Sequence, residues 1–147
     1  RLTASRVYLD TAILVKLLVR EQDSDFYAGL ADGQPGWSSQ LALVECFSAL
    51  LRKEREGAID RAHRRRAWRQ VVADVGASRL NLVPVTPNLV ERAAAILDVC
   101  HPAVALRSLD AIHLASAERC QSWPLCSNDV RIRAAAARLG LPLAAVP

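Results

Sequence analysis

The sequence has no CxxC pair, no histidines spaced for zinc, no apolar run long enough for a bilayer and no low-complexity tract, and only 5% of its residues are aromatic. Each absence excludes a class. Cys46, Cys100, Cys120 and Cys126 stand singly, three of them in helical patterns among Ala, Leu and Val. They read as small buried hydrophobes of a reducing compartment rather than metal ligands or a redox pair. His63, His101 and His113 likewise form no zinc pattern. Without about 20 consecutive apolar residues there is no membrane helix to expect, and the basic start lacks the layout of a secretory signal. What is present is 147 residues, 52% hydrophobic and 23% charged. Such a length buries about two thirds of its unfolded surface as one domain. The expectation is a single soluble, cytoplasmic domain over 1–147.

The net charge of +4 is unevenly spread: residues 52–69, RKEREGAIDRAHRRRAWR, hold eight Arg or Lys against three acids. Arg61, Arg64, Arg65, Arg66 and Arg69 fall on several faces of a helix, so its first two turns are expected to be solvated nearly all round. A buried stripe begins at Trp68, Val71, Val72 and Val75. A projecting basic helix suits a phosphate backbone or an acidic partner, and a solvated charged face accounts for it equally well.

Short apolar runs alternate with helical patterns. VYL ends at Asp10 and precedes helices near 12–21 and 24–31. PGW leads to a helix starting at Ser38 or Ser39 and running to about Glu56. After Gly57 the arginine-rich helix runs to Gly76. LNLVPV (80–85) is strand-like, and Thr86 with Pro87 reads as N-cap and first helical residue. Ser108 caps a helix over 108–120, PLCS is a short buried strand, Gly140 closes a helix from 129, and LPLAAV supplies a last strand. The pattern predicts an α/β fold: a central, mostly parallel sheet of four to five short strands with helices on both faces.

Asp10 and Asp129 each close a strand and open a helix, and Asp110 lies in the first turn behind Ser108. Singly, each is accounted for by the helix dipole and free backbone N–H groups. Together they differ, because the carboxyl ends of parallel strands share one edge, where ligands bind. Glu45 is the fourth candidate. Helical periodicity points it to water, opposite Phe47 and in line with Ser48 and Arg52, although Leu41, Ala42, Cys46 and Ala49 surround it. Converging carboxylates raise one another's pKa values unless a cation sits among them. Hard oxygen donors without His or Cys select Mg²⁺ or Mn²⁺, and such ions activate water against a phosphodiester. Beside a basic helix, this points to a nuclease. His113, one turn after Asp110, is near enough to pair with it and reads as a partly buried, locally hydrogen-bonded histidine. Arg107 meets either a phosphate or an acid.

The chain resembles the PIN-domain family, and within it the VapC-like toxins of type II toxin–antitoxin pairs. The resemblance runs almost end to end, through VYLDTAILVKLLVRE, LALVECFSALLRKEREGAID, LVPVTPNLVERAAAILD, LRSLDAIHLASA and CSNDVRIRAAAARLGLP. It implies a PIN-like fold and places Asp10, Glu45, Asp110 and Asp129 on an acidic quartet that holds Mg²⁺ or Mn²⁺ for RNA cleavage. Thr11, Ser127 and Asn128 fall on supporting positions, and Arg61, Arg64, Arg65, Arg66 and Arg107 become candidate RNA-binding residues. Ala12 departs from the small polar residue frequent there. The resemblance further implies an RNA substrate, a cognate antitoxin that covers the crevice and apolar helix faces, and a homodimer. Rival readings fit less well. A receiver domain needs a second acid beside the first strand and a Lys after the last. An aspartyl phosphatase needs an acid where Ala12 stands. A PIN fold used only for binding expects a broken quartet, and this one is whole.

Overall fold

The computed structural model describes residues 6–147. The first strand, β1 (Val7–Leu9), is short and buried throughout. Its pleat sends Tyr8 into one apolar cluster and Val7 with Leu9 into the other. Asp10 ends it by capping α1 (Thr11–Leu18), and α2 (Ser24–Ala31) follows. Then come β2 (Gly36–Ser39), α3 (Leu41–Arg55), α4 (Arg61–Gly76) and β3 (Leu80–Val83). The chain continues through α5 (Pro87–Cys100), α6 (Ser108–Cys120), β4 (Leu125–Cys126) and α7 (Val130–Leu139). The four strands are parallel, in the order β3-β2-β1-β4.

Helices cover both faces. One cluster joins Tyr8 and Leu125 to α5, α6 and α7 through Ile96, Leu114 and Ile132. The other joins Val7, Leu9 and Cys126 to α1, α3 and α4 through Ile13, Cys46 and Val71. Thr86 caps α5 ahead of Pro87, and Gly140, at φ 72, closes α7 in the left-handed conformation that favours glycine. Among the described residues no helix is long and apolar enough to cross a membrane.

Four expectations change. The segment 36–39 is a strand, not a helix start. Ser38 and Ser39 are buried there because their hydroxyls are used: Ser38 Oγ donates to the Leu9 carbonyl at 2.7 Å, and Ser39 Oγ accepts from Leu41 N at 3.1 Å. The last strand shrinks to a single bridge between Leu125 and Leu143, since Pro142 offers the ladder a carbonyl but no N–H. Arg107, not Ser108, caps α6. In α4, Ala67 and Val71 face the core while Val72 is 55% exposed.

The chain enters the sheet at β1, builds outward through β2 and β3, then returns to β1's other side with β4. The order reverses between β1 and β4, which places a crevice at their carboxyl ends. Leu9 pairs with Cys126 in register, and Asp10 N donates to the Cys126 carbonyl at 3.2 Å. The residues that follow both strands therefore emerge side by side.

The α4 correction has a measurable consequence. Val71→Ala should cost about 2 kcal/mol by removing buried methyls, whereas Val72→Ala should stay within about 0.5 kcal/mol. Urea denaturation of both variants checks this.

Candidate active site

Each of the four acids is delivered by a different local device. Asp10 caps α1, its Oδ1 accepting from Ile13 N at 3.0 Å. Asp129 caps α7, its Oδ1 accepting from Arg131 N at 2.9 Å and Ile132 N at 3.0 Å. Asp110, third in α6, accepts the Arg107 backbone N–H on Oδ2 at 3.1 Å. Glu45, in the second turn of α3, has Oε1 held by the Thr11 hydroxyl at 2.7 Å and His113 Nε2 at 2.8 Å. All four line one open crevice of about 670 Å³.

A pattern runs through these hydrogen bonds. Asp10, Glu45 and Asp129 each have one oxygen pinned by protein donors, which leaves Asp10 Oδ2, Glu45 Oε2 and Asp129 Oδ2 outside those anchors. The guanidinium of Arg107 takes part of what remains: Nε lies 3.0 Å from Asp110 Oδ2, and Nη2 lies 3.3 Å from both Asp110 Oδ1 and Asp129 Oδ2. Arg107 therefore pairs with two of the acids.

His113 pairs with Glu45, not with Asp110. An ionised Glu45 offers only acceptors, so Nε2 carries hydrogen. On the other side of the ring Nδ1 lies 2.9 Å from the Tyr8 hydroxyl. Burial pushes the Tyr8 phenol well above its ordinary pKa, so the hydroxyl stays protonated beside the ring. The chain Tyr8–His113–Glu45 thus supports one carboxylate from the core side.

Burial also raises the pKa of Asp10, against the lowering effects of the Ser127 hydroxyl, the Ile13 N–H and His113; Asp129 adds to the rise. Burial acts upward on Glu45 too, but His113 and Thr11 hydrogen bonds, with the charges of His113 and Arg107, outweigh it and hold that carboxyl low. Beneath the crevice, burial pushes the thiols of Cys46 and Cys126 up to about 12, which removes them as nucleophiles or soft ligands at neutral pH.

The remaining expected residues are placed as follows. Thr11 supports Glu45, Ser127 Oγ accepts from Asp129 N at 3.1 Å, and Asn128 lies exposed on the crevice wall. The α4 arginines do not line this crevice. Arg64 turns inward to Glu54 at 2.8 Å and over the Phe47 ring. Arg61, Arg65 and Arg66 form a separate exposed surface with Arg69, and among the described residues none of the four is paired with a carboxylate.

Sequence reasoning overlooked the cations of the crevice wall, Lys16, Arg52 and Lys53. Lys16 is held by Glu21 at 3.3 Å and Asp23 at 2.9 Å. Arg52, two turns after Glu45 on the same side of α3, has no carboxylate partner among the described residues. Its spacing was the available signal.

The donor set suits a hard divalent cation: four carboxylates line one crevice, and the nearby imidazole nitrogen is already committed to Glu45. Among the described residues no three His, Cys, Asp or Glu groups stand close enough together to enclose an ion, and Arg107 is lodged on two of the four acids.

Comparison with known proteins adds independent findings. The PIN domain family model matches residues 7–138. Ribonuclease VapC46 of Mycobacterium tuberculosis is 37% identical over 142 residues, covering 95% of this chain and 96% of that protein. Solved structures share the fold at low identity, among them a toxin–antitoxin complex of Klebsiella pneumoniae with a TM-score of 0.60 at 18% identity, covering 87% of this chain and 90% of that one. VapC20 of Mycobacterium tuberculosis, a toxin that cleaves the sarcin–ricin loop, superposes with a TM-score of 0.67 at 20% identity, covering 88% of this chain and 94% of that one. VapBC2 of Rickettsia felis, bound to a DNA fragment from its promoter, gives 0.63 at 14%, covering 95% and 97%.

The opposed shifts of Asp10 and Glu45 predict how metal-free stability varies with pH. A raised folded pKa means that Asp10 contributes stability below the unfolded carboxyl value and loses it as pH rises through the folded one. Asp10→Asn keeps the Ile13 cap, so in EDTA at pH 7 it should melt at a higher temperature than the wild type. The gain should shrink as pH falls into the carboxylate range. Glu45 works the other way: its contribution is present above the ordinary carboxyl pKa and fades as pH drops through the lowered one. Identical melts of Asp10→Asn and wild type at pH 7 would contradict the assignment.

Proposed function

This chain belongs to the PIN-domain family, among its VapC-like members, and from that premise we propose that it is a metal-dependent endoribonuclease, the toxin of a toxin–antitoxin pair. One observation carries the reading. Asp10, Glu45, Asp110 and Asp129 reach one crevice at the sheet's switch point, in a chain 37% identical to a ribonuclease.

Mg²⁺ or Mn²⁺ would be held by these four carboxylates and would supply an activated water and charge stabilisation at the phosphodiester. The chain's own residues do the rest. The N-termini of α1 and α7 orient Asp10 and Asp129 through their backbone N–H groups. Thr11, with His113 backed by Tyr8, fixes the angle of Glu45, as outer hydrogen bonds commonly do for metal-binding carboxylates. Arg52 is a cation on the wall available to an RNA phosphate. The exposed row of Arg61, Arg65 and Arg69, four residues apart on α4, with Arg66 beside it, suits the sugar–phosphate backbone. Arg64, spent on Glu54, is a structural residue in this scheme.

The same reading makes the protein a single nuclease domain over 1–147 working in the cytoplasm as a homodimer, silenced by a cognate antitoxin. VapBC2 of Rickettsia felis and the toxin–antitoxin complex of Klebsiella pneumoniae support a chain of this shape in such a pair.

Two experiments test the proposal. Asp10→Asn and Asp110→Asn should each abolish Mn²⁺ binding in titration calorimetry. Cleavage of cellular RNA should fall beyond the roughly 10- to 100-fold that losing an outer hydrogen-bond partner costs. Unchanged Mn²⁺ binding in both variants would remove the site. For RNA binding, the double substitution Arg61→Ala, Arg65→Ala should flatten the salt dependence of single-strand affinity by about 0.7 log units for each phosphate no longer neutralised. Turnover of bound RNA should hold steady, and Arg64→Ala should leave the slope unchanged while lowering stability.

A further inference from the structure

Arg107 is the one guanidinium among the described residues lodged on the acidic quartet, and its attachment is unusual. Its backbone is fixed: as N-cap of α6 it gives its N–H to Asp110 Oδ2, and its carbonyl accepts from Ala111 N at 3.0 Å. Its guanidinium is not. The side chain is 59% exposed, and its hydrogen-bond partners among the described residues are only Asp110 and Asp129. The two acids, by contrast, are anchored without it. Asp129 keeps its bonds from Arg131 N and Ile132 N, and Asp110 keeps the Arg107 backbone N–H. Withdrawing the guanidinium leaves both carboxylates in place: its pair with the part-exposed Asp129 is weak, and the buried Asp110 requires another cation in exchange.

The guanidinium also sits on carboxylate oxygens that would otherwise be open to a bound ion. One cation on Asp110 Oδ1 and Asp129 Oδ2 excludes another, by occupancy and by like-charge repulsion. We propose that Arg107 is a built-in competitor for the divalent ion, closing the carboxylate site in the metal-free protein, and that on displacement it becomes a phosphate clamp at the crevice mouth. The second role follows from the tether. A guanidinium freed from both acids stays attached to the start of α6, beside the same crevice, with its fork of donors vacant. A phosphodiester entering that crevice is the anion it meets, and the fork matches phosphate oxygens in pairs. The exchange makes ion binding and substrate binding mutually supportive. The ion releases the cation that the RNA needs, and RNA holding that cation stops it returning to the acids.

This inference rests on the nuclease reading, and the test separates the two. Full-length wild type, Arg107→Gln and Arg107→Lys are compared after their melts confirm folding. Mn²⁺ affinity is measured calorimetrically without RNA. Binding of a mixed-sequence 2′-O-methyl RNA, which cannot supply an internal nucleophile, is measured by anisotropy in EDTA and again in Mn²⁺.

Arg107→Gln should bind Mn²⁺ about 3- to 10-fold more tightly than wild type, the expected effect of removing one exposed competing pair. In Mn²⁺ it should bind RNA several-fold more weakly, with little change in EDTA. Arg107→Lys, which keeps the charge but not the paired fork, should fall between on both measures. A purely structural Arg107 predicts the opposite sign, with Mn²⁺ affinity falling on substitution, and that result would overturn the proposal. Equal Mn²⁺ affinity in all three proteins would overturn it while leaving the nuclease reading intact. Tighter Mn²⁺ binding without the metal-dependent loss of RNA affinity would overturn the clamp. If no form binds Mn²⁺, the inference and the nuclease reading fall together.

Discussion

The arrangement around the crevice is governed by one constraint: Asp10 must carry a carboxylate at the end of β1 with only 3% of its surface in water. A charge there is costly unless donors and cations replace the lost solvent. The fold supplies them in layers. The first turn of α1 offers the Ile13 N–H, the end of β4 brings Ser127 alongside, and His113 faces the site from α6. Asp129 works against this economy by adding a second negative charge from the next strand. Asp10 directly follows β1, and Asp129 follows β4 after Ser127 and Asn128, so both acids stand at the reversal of sheet order.

The two basic groups among the acids play unlike parts. His113 is enclosed, 3% exposed, and tied at both ring nitrogens, so its bond to Glu45 is a fixed element of the core. Arg107 is anchored by its backbone and loose at its tip. A rigid support on Glu45 and a replaceable cation on Asp110 and Asp129 give the crevice one side that holds shape and one that can accept a guest. The cations of the wall divide in the same way, with Lys16 bound to Glu21 and Asp23 and Arg52 uncommitted.

Much of the fold was legible because local chemistry and tertiary position agreed. Thr86 with Pro87, Gly140, and the buried run before Asp10 each announce their role in neighbouring residues alone. Where they failed, a distant partner decided. Residues 36–39 read as a loop entering a helix because Ser is a common helix cap. They form a strand because β1 and β3 flank them and Leu9 accepts a serine hydroxyl. Val72 looked like part of an apolar stripe, yet the stripe facing α3 is set by Ala67, Trp68 and Val71. His113 lies one turn from Asp110 in sequence, but α3 brings Glu45 to it from 68 residues away.

By itself the sequence determined the α/β class, the strand-to-helix positions of Asp10 and Asp129, the first-turn position of Asp110 and the family likeness, since all of these depend on short-range pattern. Only the tertiary structure decided that Glu45, which periodicity turns toward water, faces a crevice, because water and crevice look alike from a single helix. It also separated the arginines. Arg64 is internal, Arg61, Arg65 and Arg66 are outward, and Arg107 lies on the acids, although the sequence presents all five simply as basic residues on or beside helices. A charge's role depends on the charges opposite it, and those come from elements that meet only when the sheet closes.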